Sequence, residues 1–313
     1  MDDFEDMLPE VNGEFIRKCR HPARLLDDID PAFNTKFDPT IHSKDLKELK
    51  TGHLPPDNSS KLIALVKEFW CVFDKKGLLV PVKDYECVID TGNHPPIACR
   101  NPNYGHHEIP IMKEAIGKLL ELNQIKQVFD GAWLSKALLA PKPHQEHVTH
   151  IDKFVWRFCV SYVALNAITR VVAFSIPRCD AAVNMRMSKF RWLMDAPSGY
   201  HQIRVEKNSQ QKLAFAGPEG TKFTYLVMPF GPVNGPFIFI VFIHDLDTTW
   251  KANAVKKGII IDKHTNTKII VDDIHSWAQN YKTAFAYLRC QLEVCRSQNL
   301  SLSLKNVSSS PID

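Results

Sequence analysis

Two periodicities of apolar positions run along this chain. Residues 61–70, Lys-Leu-Ile-Ala-Leu-Val-Lys-Glu-Phe-Trp, carry the spacing of a short amphipathic helix. Residues 109–126 repeat it, and that helix is expected to end near Asn123. Further on the period shortens: residues 138–142 and 156–160 read as strands, with the polar stretch 144–152 between them as a hairpin tip. Residues 190–195, 202–205 and 224–228 are further strands. Residues 236–251 open with Pro236 and continue apolar, as a helix does with proline in its first turn. In residues 268–277 two apolar arms flank Asp272 and Asp273, predicting a hairpin with two carboxylates at its turn. A helix over 281–298 and a strand over 300–304 follow. Upstream, residues 1–60 are polar, broken at Asn12-Gly13, Asp38-Pro39 and Leu54-Pro55-Pro56, and predict short helices and loops. Residues 92–105, with Pro95, Pro96 and Pro102, read as an extended loop.

Composition changes this picture little. The 313 residues are 44% hydrophobic and 24% charged, ordinary for a globular protein of one large domain or two modest ones. No apolar run approaches the ~20 residues of a membrane-spanning helix. The acidic start, Asp2, Asp3, Glu5 and Asp6, is not that of a secretory signal. An intracellular setting, cytoplasmic or nuclear, is expected, with no membrane partner. A net charge of +4 is compatible with nucleic acid without arguing for it. The eight cysteines lack zinc-motif spacing and predict buried free thiols.

The candidate chemistry lies in the aspartates. Asp272-Asp273 sits between Ile269-Ile270-Val271 and Ile274, where an acidic pair needs compensation unless the turn is solvated. An ordinary solvated turn would explain the pair alone. A third aspartate alters that reading: Asp195 closes the apolar stretch Phe190-Arg-Trp-Leu-Met and precedes Ala-Pro-Ser-Gly, a tight turn. One carboxylate from one strand and a pair from a neighbouring hairpin would form an oxygen-rich site suited to magnesium. Two such ions about 3.5–4 Å apart can clamp the attacking and leaving oxygens of a phosphoryl transfer.

Around these residues the chain resembles the reverse transcriptase of gypsy-type long-terminal-repeat retrotransposons, from about Ile89 to Lys305. Five blocks stand in family order. Trp156-Arg-Phe-Cys-Val-Ser-Tyr-Val-Ala-Leu-Asn-Ala-Ile-Thr is similar to the fingers block and Ile176-Pro-Arg-Cys-Asp to the proline segment after it. Asp195-Ala-Pro-Ser-Gly-Tyr-His-Gln-Ile resembles the first catalytic motif, Met228-Pro-Phe-Gly-Pro-Val-Asn-Gly-Pro the nucleotide-pocket motif, and Val271-Asp-Asp the acidic box.

The resemblance implies an α+β right-hand polymerase fingers and palm, the palm an antiparallel sheet backed by helices. Residues 1–88 would be an N-terminal extension, weakly structured or of short helices, and 89–313 the reverse transcriptase domain. Fingers would take about 100–170 and 203–229, and palm about 171–202 and 230–313. Asp195 and Asp272 would be the main ligands of two Mg2+ ions (Mn2+ the alternative), with Asp273 the third acid. Tyr200 would lie under the incoming sugar and reject a ribose 2′-hydroxyl; a core tyrosine is the alternative. Phe230 would border the nucleotide pocket, and Gly231 would admit the template base pair. Arg157 and Lys153 would touch the triphosphate. Lys305 stands where a family lysine protonates departing pyrophosphate; a solvated surface lysine is the alternative. Partners would be a primed RNA or DNA template and a dNTP.

Several positions depart from the family. Ile270 occupies the aromatic position of the acidic box, and Ser161 and Val163 replace an acid and an arginine. Pro232 replaces a usual leucine, removing a backbone donor, and Gly235 a usual alanine. The chain stops soon after Lys305, before the family's thumb, RNase H and integrase, so weak polymerisation by a truncated enzyme is expected. The alternative is a catalytically inactive nucleic-acid-binding remnant of a decayed element. Two other signals carry less. Asp90-Thr-Gly92 matches an aspartic protease core, but Asn-His-Pro-Pro follows it. His144, His147 and His150 are spaced by three, but Pro143 and polar neighbours favour a loop over a metal site.

Overall fold

The computed structural model describes residues 10–20, 36–40, 46, 47, 49, 54–73, 80–100, 103–142, 156–174, 190–270, 273–303 and 308–311. In chain order the elements are α1 (Glu10–Cys19), α2 (Pro56–Glu68), α3 (Trp70–Phe73), β1 (Glu86–Cys87), α4 (Glu108–Glu121), β2 (Ile125–Gln127), β3 (Ser135–Pro141), β4 (Trp156–Ser161) and α5 (Val163–Ile168). They continue with β5 (Phe190–Asp195), β6 (Arg204–Val205), α6 (Lys207–Gln210), β7 (Phe215–Ala216), β8 (Lys222–Tyr225), α7 (Gly235–Lys256), β9 (Asn266–Ile270), β10 (Asp273–Ala278), α8 (Tyr281–Ser297) and β11 (Ser308–Pro311).

Two larger sheets result. One has the order β2-β8-β7-β3-β4, and its long pair, β3 with β4, is antiparallel. The other, β11-β5-β10-β9, is antiparallel throughout. The two-residue strands β1 and β6 pair in parallel.

Helix α7 belongs to the core. Its residues Phe237, Ile238, Phe239, Ile240, Val241, Phe242 and Ile243 are all buried, so its first turns are covered on every side. Lower down, buried Asp247 accepts from Trp250 Nε1 at 2.8 Å and from Lys251 Nζ at 2.6 Å, which compensates its charge. No helix among the described residues is long and apolar enough to cross a membrane.

A buried polar cluster joins α8 to the four-stranded sheet. Gln291, fully buried, accepts from Trp192 Nε1 of β5 at 2.9 Å. Its amide nitrogen donates to Thr267 Oγ1 of β9 at 2.9 Å and to Ser276 Oγ of β10 at 2.8 Å. Thr267 also shares hydrogen bonds of 3.0 Å with Ser276 and with Tyr287 of α8. One side chain thus fixes three neighbouring strands.

Most expected elements are present, with shifted ends. The helix expected at 61–70 begins at Pro56, with proline again in the first turn. The helix expected within 109–126 ends near Asn123 as anticipated: it runs to Glu121, Asn123 turns left-handed (φ 51°), and Ile125–Gln127 pairs with β8. The strand expected at 202–205 shortens to Arg204–Val205, since Gly199–Gln202 is a 3-10 turn. That expected at 224–228 begins at Lys222 and ends at Tyr225, where its pairing with β2 ends. Residues 300–303 are not a strand. Leu300, Ser301, Leu302 and Ser303 are all buried, and Leu302 N donates to Val72 O and Ser303 N to Asp195 O, so no ladder forms. The hairpin tip expected at 144–152 lies outside the described residues.

Replacing Gln291 with alanine would leave Trp192, Thr267 and Ser276 with buried, unmatched groups. Urea unfolding should show a loss of roughly 2–4 kcal/mol. A loss below about 0.5 kcal/mol, the size of an ordinary surface change, would mean the cluster does not fix the sheet.

Candidate functional site

Strands β5 and β10 pair so that Asp195 and Asp273 are directly opposite one another. Residues so placed project from the same face with Cβ atoms about 4.5–5.5 Å apart, and like charges there repel. Such a pair offers oxygen donors to a hard cation, which would remove the repulsion. His275, next on that face of β10, has its pKa lowered by burial, partly countered by the charge of Asp273.

The turn after Asp195 is tightly held. Ser198 is left-handed (φ 50°), and Gln202, fully buried, donates to Pro197 O at 3.0 Å and Ser301 O at 3.1 Å. Ser301 N returns a hydrogen bond to Gln202 Oε1 at 2.8 Å. Beside this turn opens a cavity of about 290 Å3 lined by Asp195, Ala196, Pro197, Ser198, Gly199, Tyr200, Phe230 and Phe239. Tyr200 stacks on Phe230, ring centroids 5.0 Å apart, and leans on Phe239 at 5.3 Å. A Cβ at Gly199 would meet Phe239 at 2.6 Å, so only glycine allows that approach.

The segment 228–236 forms the other wall. Gly231 has φ +110°, a conformation open to glycine, and packs against Tyr162. Asn166 holds the segment from both directions: Nδ2 donates to Gly231 O at 2.8 Å, and Oδ1 accepts from Val233 N at 3.0 Å. Asn234, buried, donates to Arg170 O at 2.8 Å and accepts from Val172 N at 3.0 Å. Behind Tyr200, Gly235 leaves space: a Cβ there would sit 3.8 Å from Met228 Sδ and 3.9 Å from Tyr200 Cε2, ordinary contacts.

The expected site residues divide in three. Asp195, Tyr200 and Phe230 line one cavity, Asp273 faces Asp195, and Gly231 adjoins Phe230. Arg157 lies exposed on β4, the edge strand of the five-stranded sheet, and does not line that cavity. Asp272, Lys153 and Lys305 lie outside the described residues, as do His144, His147 and His150. Among the described residues no group of three acidic, histidine or cysteine side chains gathers for a metal.

Cys19, Cys71, Cys87, Cys290 and Cys295 are buried free thiols, and burial pushes Cys295 up to about 12. Asp90 occupies a salt-bridged turn. Burial would raise its pKa, but the Gly92 amide, Lys18 and Arg170 together hold it below the usual value.

Gly199, Phe239, Asn166 and His201 were not anticipated from sequence. Phe239 sits inside an apolar run that reads as core, and the asparagines carry no signal until their partners are known. His201 lies edge-on to Phe230 at 5.4 Å and stacks on Tyr225 at 6.5 Å. Burial lowers its pKa to about 4.

Residues 141–308 match the reverse transcriptase (RNA-dependent DNA polymerase) family. The retrovirus-related Pol polyprotein from transposon opus of Drosophila melanogaster is 25% identical over 256 residues, 80% of this chain and 23% of that protein. The transposon Tf2-3 polyprotein of Schizosaccharomyces pombe is 35% identical over 250 residues, 75% of this chain and 17% of that protein. The chain therefore spans less than a quarter of the length of either. The foamy viral protease-reverse transcriptase solved with an RNA/DNA hybrid superposes with a TM-score of 0.65 at 18% identity, over 93% of this chain and 35% of that one. A second structure of that protein, with double-stranded DNA, gives 0.67 at 17% identity, over 94% and 46%. At such identities the likeness is one of fold.

Two outcomes follow for the site. Since His201 titrates near 4 when folded and near 6.5 when unfolded, the unfolded state binds the extra proton between those values. Its contribution is fully present above pH 6.5 and is lost as pH falls towards 4, by roughly 1–2 kcal/mol after allowing for partial exposure. Urea unfolding at pH 7 and pH 4.5 should show this loss, and His201→Phe should lessen it; an identical loss in the variant would exonerate His201. Gly235→Ala should fill the space behind Tyr200 and raise stability by about 0.5–1 kcal/mol. A lowered melting temperature would mean the added methyl group does not fit.

Proposed function

The chain belongs to the reverse transcriptase (RNA-dependent DNA polymerase) family, a nucleotidyltransferase family, and we propose that its own activity is two-metal transfer of a nucleotide from a dNTP to a primer 3′-hydroxyl. The observation that carries this reading is the register opposing Asp195 to Asp273 beside a cavity walled by Tyr200 and Phe230. A primed RNA or DNA template is the proposed partner; relatives of the fold have been solved with an RNA/DNA hybrid and with double-stranded DNA.

The donor set fits magnesium: carboxylate oxygens facing each other from two strands, with no softer ligand lining the cavity. When bound, magnesium supplies positive charge that favours an attacking hydroxylate and a departing pyrophosphate. Asp195 and Asp272 would be its main ligands by family position, with Asp273, opposite Asp195, the third carboxylate. The ring of Tyr200 would occupy the space a ribose 2′-hydroxyl needs. Phe230 would flank the nucleotide, and Gly231 would let the template base pair approach the backbone. Arg157 would offer its planar fork to phosphate oxygens, aided by Lys153. Lys305 would protonate the leaving pyrophosphate.

We assign the five-stranded sheet to fingers, about 100–170 and 203–229, and the four-stranded sheet to palm, about 171–202 and 230–313. In support, every strand of each sheet falls within those bounds.

Primer extension on an RNA template with Mg2+ tests the reading. Extension is expected, falling on the order of a hundredfold or more in Asp195→Asn or Asp273→Asn. Metal binding is read separately: Mg2+ should raise the melting temperature of the unaltered protein and not of the variants. Without metal the variants should be more stable by about 0.2–1 kcal/mol, because the repulsion is gone. Extension indifferent to both substitutions would sink the assignment of the aspartates.

A further inference from the structure

Ring contacts run without a gap from the five-stranded sheet to helix α7, passing through the cavity. On the sheet, Phe158 meets Phe215 at 5.7 Å and Phe215 meets Tyr225 at 5.5 Å. Tyr225 stacks on His201 at 6.5 Å with 23° between planes, and His201 meets Phe230 at 5.4 Å and 70°. Phe230 stacks on Tyr200 at 5.0 Å and 30°, and Tyr200 touches Phe239 of α7 at 5.3 Å. These separations lie in the range where aromatic pairs attract.

Support is uneven along that chain. Phe239 is buried at 1% exposure and Tyr225 at 5%, so the core fixes the two ends. Phe230 is 62% exposed, so its ring is held mainly by the rings against it. Tyr200 stacks on it and His201 meets it in a T-shaped contact, and these two are consecutive residues of one 3-10 turn. His201 is therefore the link that ties Phe230 to the rigid sheet. The burial that keeps its imidazole neutral lets it pack there as an uncharged ring.

We propose that His201 is a positioning residue for sugar selection, wedged between Tyr225 and Phe230 so that Phe230 keeps the Tyr200 ring where a ribose 2′-hydroxyl would go. This rests on the reading of Tyr200 as the residue under the incoming sugar. Rejection of one hydroxyl is a clash, not an attraction, and a clash acts only where the blocking ring cannot move aside. Without the wedge Phe230 can swing into solvent, and Tyr200 loses the surface it stacks on. The ring is what the position requires, so phenylalanine should serve and an aliphatic side chain should not.

The test reads nucleotide choice without turnover. The full chain is bound to a primer–template ending in a dideoxynucleotide, with Mg2+, and dissociation constants are measured for the matching dNTP and rNTP. The unaltered protein should favour the dNTP, and Tyr200→Ala should abolish that preference. His201→Ala should reduce it about three- to tenfold, the size that loss of one aromatic contact supports, while His201→Phe keeps it. His201→Leu stands in for alanine if thermal unfolding shows the alanine protein unfolded at the assay temperature. A preference lost in Tyr200→Ala but kept in His201→Ala or His201→Leu overturns the role of His201 and leaves Tyr200 standing. Loss in His201→Phe equal to that in His201→Ala overturns the ring argument. An unaltered protein without preference, or without nucleotide binding, overturns the Tyr200 reading and this inference with it.

Discussion

Two carboxylates directly opposite on adjacent strands form an arrangement the sheet opposes electrostatically, and much of the surrounding structure holds it in place. A slip of one residue between β5 and β10 would send one aspartate to the other face of the sheet. Gln291 resists that slip, since its amide reaches Trp192, Thr267 and Ser276 together only when β5, β9 and β10 keep this register. The carbonyl of Asp195 is fixed as well, through Ser303 N at 2.9 Å. The local repulsion is sustained by packing elsewhere, as expected where function and stability conflict.

The second wall of the cavity follows a related logic. Residues 228–236 cross from the five-stranded sheet to α7, and buried backbone in such a crossing needs partners that no strand or helix supplies. Asn166 and Asn234 supply them, each donating and accepting through one amide group. Both tie the segment to residues 166–172, so the passage from the five-stranded sheet to α7 is held by defined hydrogen bonds. Phe230 and Gly231 are carried on this strap, between a sheet on one side and a core helix on the other.

The strands and helices that bear the site were legible because their periodicities are strong. Phe190–Asp195 matches its expected bounds, and β9 and β10 form the two arms expected around Asp272-Asp273. Residues 300–304 misled because leucine and serine alternate there in the sequence as in a half-buried strand, whereas hydrogen-bond partners, which periodicity does not encode, decide the ladder. β11 escaped notice because Ser308, Ser309 and Ser310 carry no apolar alternation. Of the residues around the cavity, Asp195, Tyr200 and Phe230 were singled out through family blocks. Gly199 and Asn166 were not, since their value lies in a distance to Phe239 and in two bonds to the strap, which exist only after folding.

The departures from the family pattern can be weighed against this geometry. Pro232 lacks an N–H, yet the strap asks for none at that position. Gly231 O and Val233 N are taken by Asn166, and the carbonyl of Pro232 accepts from Gly235 N at 3.1 Å. A proline whose missing donor has no assigned partner leaves the hydrogen-bonding of its neighbours intact, and its fixed φ restrains the unfolded chain. Helix α7 begins three residues later at Gly235, with Pro236 in its first turn. Gly235 is the costlier departure. It gives up the methyl group that would touch Tyr200, the ring on which sugar selection is proposed to depend and against which Phe230 and Phe239 pack. A site that keeps its carboxylate register while loosening behind one aromatic ring would lose selectivity before it lost the capacity to bind metal. The two proposed properties would rest on different contacts: strand pairing and Gln291 for the register, the Tyr200 and Phe230 rings and the glycine beside them for the choice of sugar.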